Sequence, residues 1–180
     1  MLRRFRNNNP AQNPLNDVQM TMLVRANQLA ANNQPDQAAP LYASLAMQME
    51  DSGHPRRAAN LHSRAAHTHA DNHDETAALA QAQAALRLFI RWQMNRRIPV
   101  FYANITRKMT AQGMPSAVAA LQQEFGAAAA GAPGAQPGPQ HGSLPTACPK
   151  CGAPLRSDEA TWVDAQTAEC DFCGALVKAI

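Results

Sequence analysis

Four cysteines, the full complement of this 180-residue chain, fall within its last 33 residues as Cys148-Pro149-Lys150-Cys151-Gly152 and Cys170-Asp171-Phe172-Cys173-Gly174. No other feature restricts the fold as strongly. Two thiolates separated by two residues can face one cation because the backbone between them makes a tight knuckle, and the following glycine allows the positive φ that such a turn tends to need. Two knuckles supply four sulfurs. Tetrahedral Zn²⁺ takes four ligands at about 2.3 Å, so a shell of Cys148, Cys151, Cys170 and Cys173 is closed to water and substrate. The expectation is one structural zinc ion per chain. Two other readings of the thiols stay open. A redox dithiol would need a single CxxC beside a βαβ pattern, whereas this chain has two CxxC pairs and no βαβ pattern. An iron site uses similar knuckles, and Trp162 and Phe172 do not exclude it. A secreted disulfide framework fits poorly with two close pairs confined to one end.

The two-knuckle tail resembles the zinc-ribbon family. That resemblance implies a few short antiparallel strands clamped around one zinc ion. Thr161-Trp162-Val163 and Leu176-Val177 are β-favouring stretches placed for such strands. A body this small buries little surface, so metal binding is expected to provide on the order of 10–16 kcal/mol toward its folding. From Cys148 onward, Lys150, Arg156 and Lys178 are outnumbered by Asp158, Glu159, Asp164, Glu169 and Asp171. Phosphate neutralisation by basic residues dominates nucleic-acid affinity, so an acidic lobe is better suited to protein contact.

The remainder of the chain favours helix. Hydrophobic residues make up 46%, but 37 of the 180 residues are alanine and only nine are aromatic, which predicts a thin core and argues against a wide ring-lined ligand pocket. High alanine with few β-branched residues favours helix over sheet. Four zones follow: an irregular basic arm at 1–16, a helical domain at 17–125, an uncharged Ala/Gly/Pro linker at 126–147 and the ribbon at 148–180. The linker, broken by Gly131, Pro133, Gly134 and Pro137, would span roughly 25 Å and leave the ribbon free to move.

Within the helical zone, breaks near Asn33, Gly53 and Asn72 recur every 19 or 20 residues. Asn16 or Asp17 caps the first helix, and Ala38, Ala39, Tyr42, Leu45, Ala46 and Met49 follow helical spacing on the second. The third is read from Pro55 to about Ala70. The fourth is read as the longest, from about Asp74 to Arg97, with Ala78, Ala82, Ala85, Leu86, Phe89 and Trp92 buried. Pro99 is read as a bend, Phe101 to Thr110 as a further helix, and Pro115 as the start of a last one through Val118, Leu121 and Phe125. This is the logic of antiparallel helical hairpins. Residues 18–96 resemble the tetratricopeptide (TPR) repeat family, with Ala26, Ala38, Tyr42 and Leu45 at its small, small, aromatic and large positions, although the Trp-x-x-Leu-Gly opening is missing. The fold class is thus mainly α, TPR-like or a plain helical bundle, with a small β zinc ribbon joined by a flexible linker.

No stretch is long and apolar enough to span a membrane, since even the run from Ala84 to Met94 is cut by Arg87 and Arg91. The basic start, Met1 to Arg6, is followed by Asn7-Asn8-Asn9-Pro10 where a signal peptide needs an apolar block, so the chain reads as cytoplasmic. Neither GxSxG, HExxH nor a phosphate-gripping glycine loop occurs, and the reading is of a protein that is not an enzyme and has no small-molecule substrate. His62, His67, His69 and His73 cluster beside Asp71 and Asp74, but no tight i, i+4 pair is well placed for a second metal. The expected function is an adaptor or assembly subunit that binds a protein partner through its helices and its ribbon, together giving avidity. Two alternatives are a nucleic-acid-binding accessory factor using Arg87, Arg91, Arg96, Arg97, Arg107 and Lys108, and a zinc-ribbon regulatory subunit of a larger enzyme.

Overall fold

The computed structural model describes residues 15–131, 142–157 and 160–180. Six helices come first: α1 (Asp17–Ala31), α2 (Pro35–Asp51), α3 (Pro55–Asp71), α4 (Glu75–Arg91), α5 (Arg97–Ala111) and α6 (Pro115–Gly131). A small antiparallel sheet follows, of β1 (Thr161–Trp162), β2 (Thr167–Glu169) and β3 (Leu176–Lys178) in that spatial order. The basic arm expected at 1–16 lies almost entirely outside the described residues.

Local chemistry sets the helix ends. Asn16 and Gln19 form a reciprocal capping box, each side chain accepting from the other's backbone N–H at 2.8 and 3.2 Å. Pro35, Pro55 and Pro115 open α2, α3 and α6, where a missing N–H costs nothing. Between successive helices the chain needs only one left-handed residue, and Asn33, Gly53, His73, Gln93 and Gly113 adopt it at a constant 20-residue spacing. The next backbone N–H then reaches back to the carbonyl five residues earlier: Gln34 to Leu29, His54 to Met49, Asp74 to His69, Met94 to Phe89 and Met114 to Met109, all at 2.8–3.0 Å. Five Schellman closures therefore turn the chain. A helix pair spans 40 residues, from the turn at Asn33 to that at His73 and again to Gly113, compared with about 34 in a tetratricopeptide repeat.

Each helix packs on its successor, and α3 also meets α5 as α4 meets α6. The contact stripes are largely alanine: Ala38, Ala58, Ala59, Ala65, Ala66, Ala78, Ala82 and Ala85 are all fully buried, with Tyr42, Leu45, Leu61, Leu86 and Phe89 filling between them. Short side chains bring the helix axes close, so each larger residue meets backbone as well as side chains.

Three sequence expectations need correction. First, α4 stops at Arg91 and does not run to Arg97, because Gln93 takes the left-handed conformation at 53°. Trp92 thereby becomes the C-cap and is 51% exposed, outside the core. Pro99 lies in the first turn of α5 and causes no bend, since the N–H it lacks would have had no partner there. Second, α6 continues past Phe125 to Gly131, as the alanines at 127–130 favour helix and the first proline comes later. Third, the terminal lobe begins before Cys148: Leu144 is buried, the Ile180 N–H donates to the Ser143 carbonyl at 2.8 Å, and Ala147 bridges to Pro154.

The left-handed positions supply a direct test. Glycine occupies two of the five, whereas Gln93 has a Cβ that crowds its own carbonyl at φ 53°. Gln93→Gly is expected to stabilise the chain by about 1 kcal/mol, read as a raised urea midpoint with unchanged slope. Ile90→Gly, inside α4, should do the opposite.

Candidate metal centre

The two knuckles are built alike. The Cys148 N–H donates to the Ala153 carbonyl and the Gly152 N–H to the Cys148 carbonyl; the Cys170 N–H donates to the Ala175 carbonyl and the Gly174 N–H to the Cys170 carbonyl, all at 2.8 Å. Gly152 and Gly174 stand at φ 74° and 75°, the conformation that the sequence motif predicts for them. The bridge between Ala147 and Pro154 extends the first knuckle, and β2 and β3 flank the second.

These turns bring Cys148, Cys151, Cys170 and Cys173 together, all buried, with their sulfurs within 4.8 Å of one another. Sγ of Cys148 is 3.8 Å from that of Cys173, and Sγ of Cys151 is 3.9 Å from that of Cys170. A disulfide would need about 2.0 Å. Four sulfurs each ~2.3 Å from a shared centre stand about 3.8 Å apart at the edges of a tetrahedron. The donor set therefore fits a single four-coordinate metal ion, and it fills all four positions with protein sulfur. Crowding of the four sulfurs pulls the Cys148 thiol down and pushes the Cys151 thiol up, so the thiols compete for protons. A divalent cation removes that competition by favouring the thiolate at all four.

The lobe does not stand apart from the helices. Asn27 on α1 donates Nδ2 to the Cys151 carbonyl at 2.7 Å, and Asn60 on α3 donates to the Asp171 carbonyl at 3.3 Å. Arg57 on α3 pairs with Glu169 at 3.3 Å, both side chains 7% exposed, and Arg97 on α5 pairs with Asp171. Arg97 also reaches Asn60, and Asp171 accepts from Thr161 on β1 at 3.0 Å. Burial pushes the Glu169 carboxyl up, and the Arg57 guanidinium opposes that shift. The Tyr42 hydroxyl, at the centre of the helical core, donates to Asn27 at 2.8 Å and so holds the amide that grips the first knuckle. Helices α1 and α3 thus grasp the main chain of the two knuckles, and α5 holds the Asp171 side chain of the second.

None of Asn27, Arg57, Asn60 or Arg97 was singled out in the sequence as a residue that holds the metal lobe. Their partners lie 74 to 124 residues away in the chain. One sign was available: Arg57 and Asn60 lie beside Ala58, Ala59 and Leu61, in positions where a helix with a single buried stripe has no use for polar groups.

The other candidates are dispersed. Arg87 pairs with Glu124, Arg97 with Asp171 and Lys108 with Asp71, and Arg107 bonds to Asn104, so much of the basic set is spent on contacts within the molecule. His62 is buried between Gln81 and Glu50, at 2.6 Å from each. His67 meets the edge of Phe101 with ring centroids 5.7 Å apart, and His69 faces Asp74 at 3.4 Å. Among the described residues, only the four cysteines form a cluster able to hold a metal.

Comparison with protein-family models, curated proteins and solved structures returns no match for this chain. No helix among the described residues is long and apolar enough to cross a membrane.

Proposed function

We propose that this chain is a non-enzymatic adaptor or assembly subunit in which one structural zinc ion, held by Cys148, Cys151, Cys170 and Cys173, shapes a terminal lobe that presents a protein-binding surface together with the helices. The observation that carries this reading is the sulfur shell. Four buried cysteine sulfurs lie within 4.8 Å of one another, and an ion that they enclosed would have no position left at which to activate water or polarise a substrate. The tetrahedral all-sulfur set suits zinc, and its thiolates would hold the ion while the knuckle hydrogen bonds fix their direction. Apolar side chains left in solvent support a contact role on both bodies: Trp92 and Ile90 at the end of α4, and Val163, Leu176 and Ile180 on the lobe. Pairing of Arg87, Arg97 and Lys108 with carboxylates weakens the case for nucleic acid.

The test is affinity capture with the intact, metal-loaded chain at low and high salt, beside Trp92→Asp and Leu176→Asp variants that place charge on the two apolar surfaces. Retention of a defined protein at high salt, lost in either variant, is the expected result. Binding to generic RNA or DNA that collapses as salt rises, with no protein retained, overturns the reading.

A further inference from the structure

The lobe does not close completely on the helices. Between α3, α5 and the lobe lies a cavity of about 340 Å³, and a second of about 370 Å³ lies between α3, α5 and the turn after α1. Arg64, His67 and Asn104 line both. The acidic groups at these cavities are already engaged, Asp171 with Arg97 and Thr161 and Asp71 with Lys108. Arg64 is the exception. Its guanidinium sits over the Tyr42 ring, with Cζ 5.8 Å from the centroid, and its Nε is buried with no hydrogen-bond partner. Among the described residues it forms no ion pair, in contrast with Arg57 and Arg97 on the same surface. Arg64 touches the Tyr42 side chain on one side, lines both cavities on the other and has no carboxylate paired with it, so its charge is open to an anion that enters from the cavity side.

The rest of the first cavity gives the anion a shape. Val100 and Phe101 from α5 face Leu155 and Phe172 from the lobe, so an apolar slot leads to the cation. The volume is at the small end for ligand sites, enough for one ring or a short aliphatic chain. We propose that this cavity binds a small organic carboxylate, with its anionic end on Arg64 and its apolar body between Val100, Phe101 and Phe172. Such a ligand touches both helices and lobe, so its binding also fastens the lobe in place. The inference does not depend on the adaptor reading, and the compound is a ligand, with no reaction assigned to it.

His67 supplies an internal gauge. Burial, reinforced by Lys108 and Arg64, lowers its pKa to about 4, while Asp71 pulls the other way. An anion placed beside it would raise that value.

Benzoate, titrated by NMR into the metal-loaded full chain, is the probe, with benzamide and inorganic phosphate as controls. Saturable benzoate binding is expected, with benzamide at least about tenfold weaker for want of a charge-assisted bond, phosphate weaker for want of an apolar body, and the His67 titration moved upward. Arg64→Gln should weaken benzoate at least about tenfold while metal content and helix signal are kept. Val100→Asp, which brings a like charge to the slot, should do the same and serves where Arg64→Gln does not fold. Benzamide or phosphate binding as tightly as benzoate, the variant that folds binding benzoate unchanged, or no benzoate binding at all overturns the proposal.

Discussion

Cys170→Ser is expected to reduce bound metal from one ion per chain to a small fraction and to unfold the terminal lobe while the six helices persist. The reasoning is energetic. The three strands contain two, three and three residues, and a body of that size cannot offset its conformational entropy by burial alone. Metal coordination in comparable domains contributes on the order of 10–16 kcal/mol, more than any other single interaction available to this lobe. The helical core, by contrast, has its own contacts through Tyr42, Leu45, Leu61, Leu86 and Phe89, and the Schellman turns owe nothing to the cysteines. The two tryptophans separate the bodies, since Trp162 lies on β1 and donates to the Ser157 carbonyl at 3.0 Å, whereas Trp92 caps α4. In a Trp92→Phe background, Cys170→Ser should move Trp162 emission to that of a solvated indole, with far-UV helix signal nearly unchanged. Full metal content with unaltered Trp162 emission would show that the four sulfurs are not the ligand set.

Arg57→Met should release the lobe from the helices without emptying the metal site. Arg57 and Glu169 are each 7% exposed on their side chains. Removing the guanidinium leaves a buried carboxylate whose desolvation is no longer opposed, a defect that typically costs about 3–5 kcal/mol when one partner of a buried pair is deleted. A single rigid body would have to bear that cost in full. Here the lobe can swing away and let Glu169 reach water, so the expected signature is faster amide exchange along α3 and β2, with metal content held at one ion. Arg57→Met combined with Glu169→Gln removes the orphan charge and should restore most of the protection. Gly174 offers a second route to the same state. At φ 75° it tolerates no Cβ without strain, and a Cβ there would run into the Arg57 guanidinium, so Gly174→Ala should also undock the lobe. If Arg57→Met leaves exchange in both elements unchanged, the ion pair has no part in docking.

What could be read from the chain follows the range of the signal. The metal knuckles are local, and both the four cysteines and the positive φ at Gly152 and Gly174 were legible from a few adjacent residues. So were β1 and β3 and the first three turns, where Asn, Gly or Pro marks each break. The turn at Gln93 was hidden because glutamine carries no preference for the left-handed region. Only the 20-residue period, taken as a rule and not as a tendency, would have located it and freed Trp92 from the predicted core. The strand β2 was missed since Thr167 to Glu169 is too short and mixed to show alternation. Docking of the lobe was illegible for a different reason: composition reports that a segment is uncharged and breaks helices, but not whether the bodies on either side complement each other.

Asn27 and Asn60 hold the knuckles by their peptide carbonyls, one hydrogen bond to each. The helices therefore sense the contour of the loaded turn and are indifferent to the element inside it. Any divalent ion that accepts four sulfurs at tetrahedral spacing, cobalt or cadmium included, should leave the grip intact, and cobalt would turn the cage into a coloured reporter readable while the rest of the molecule is perturbed.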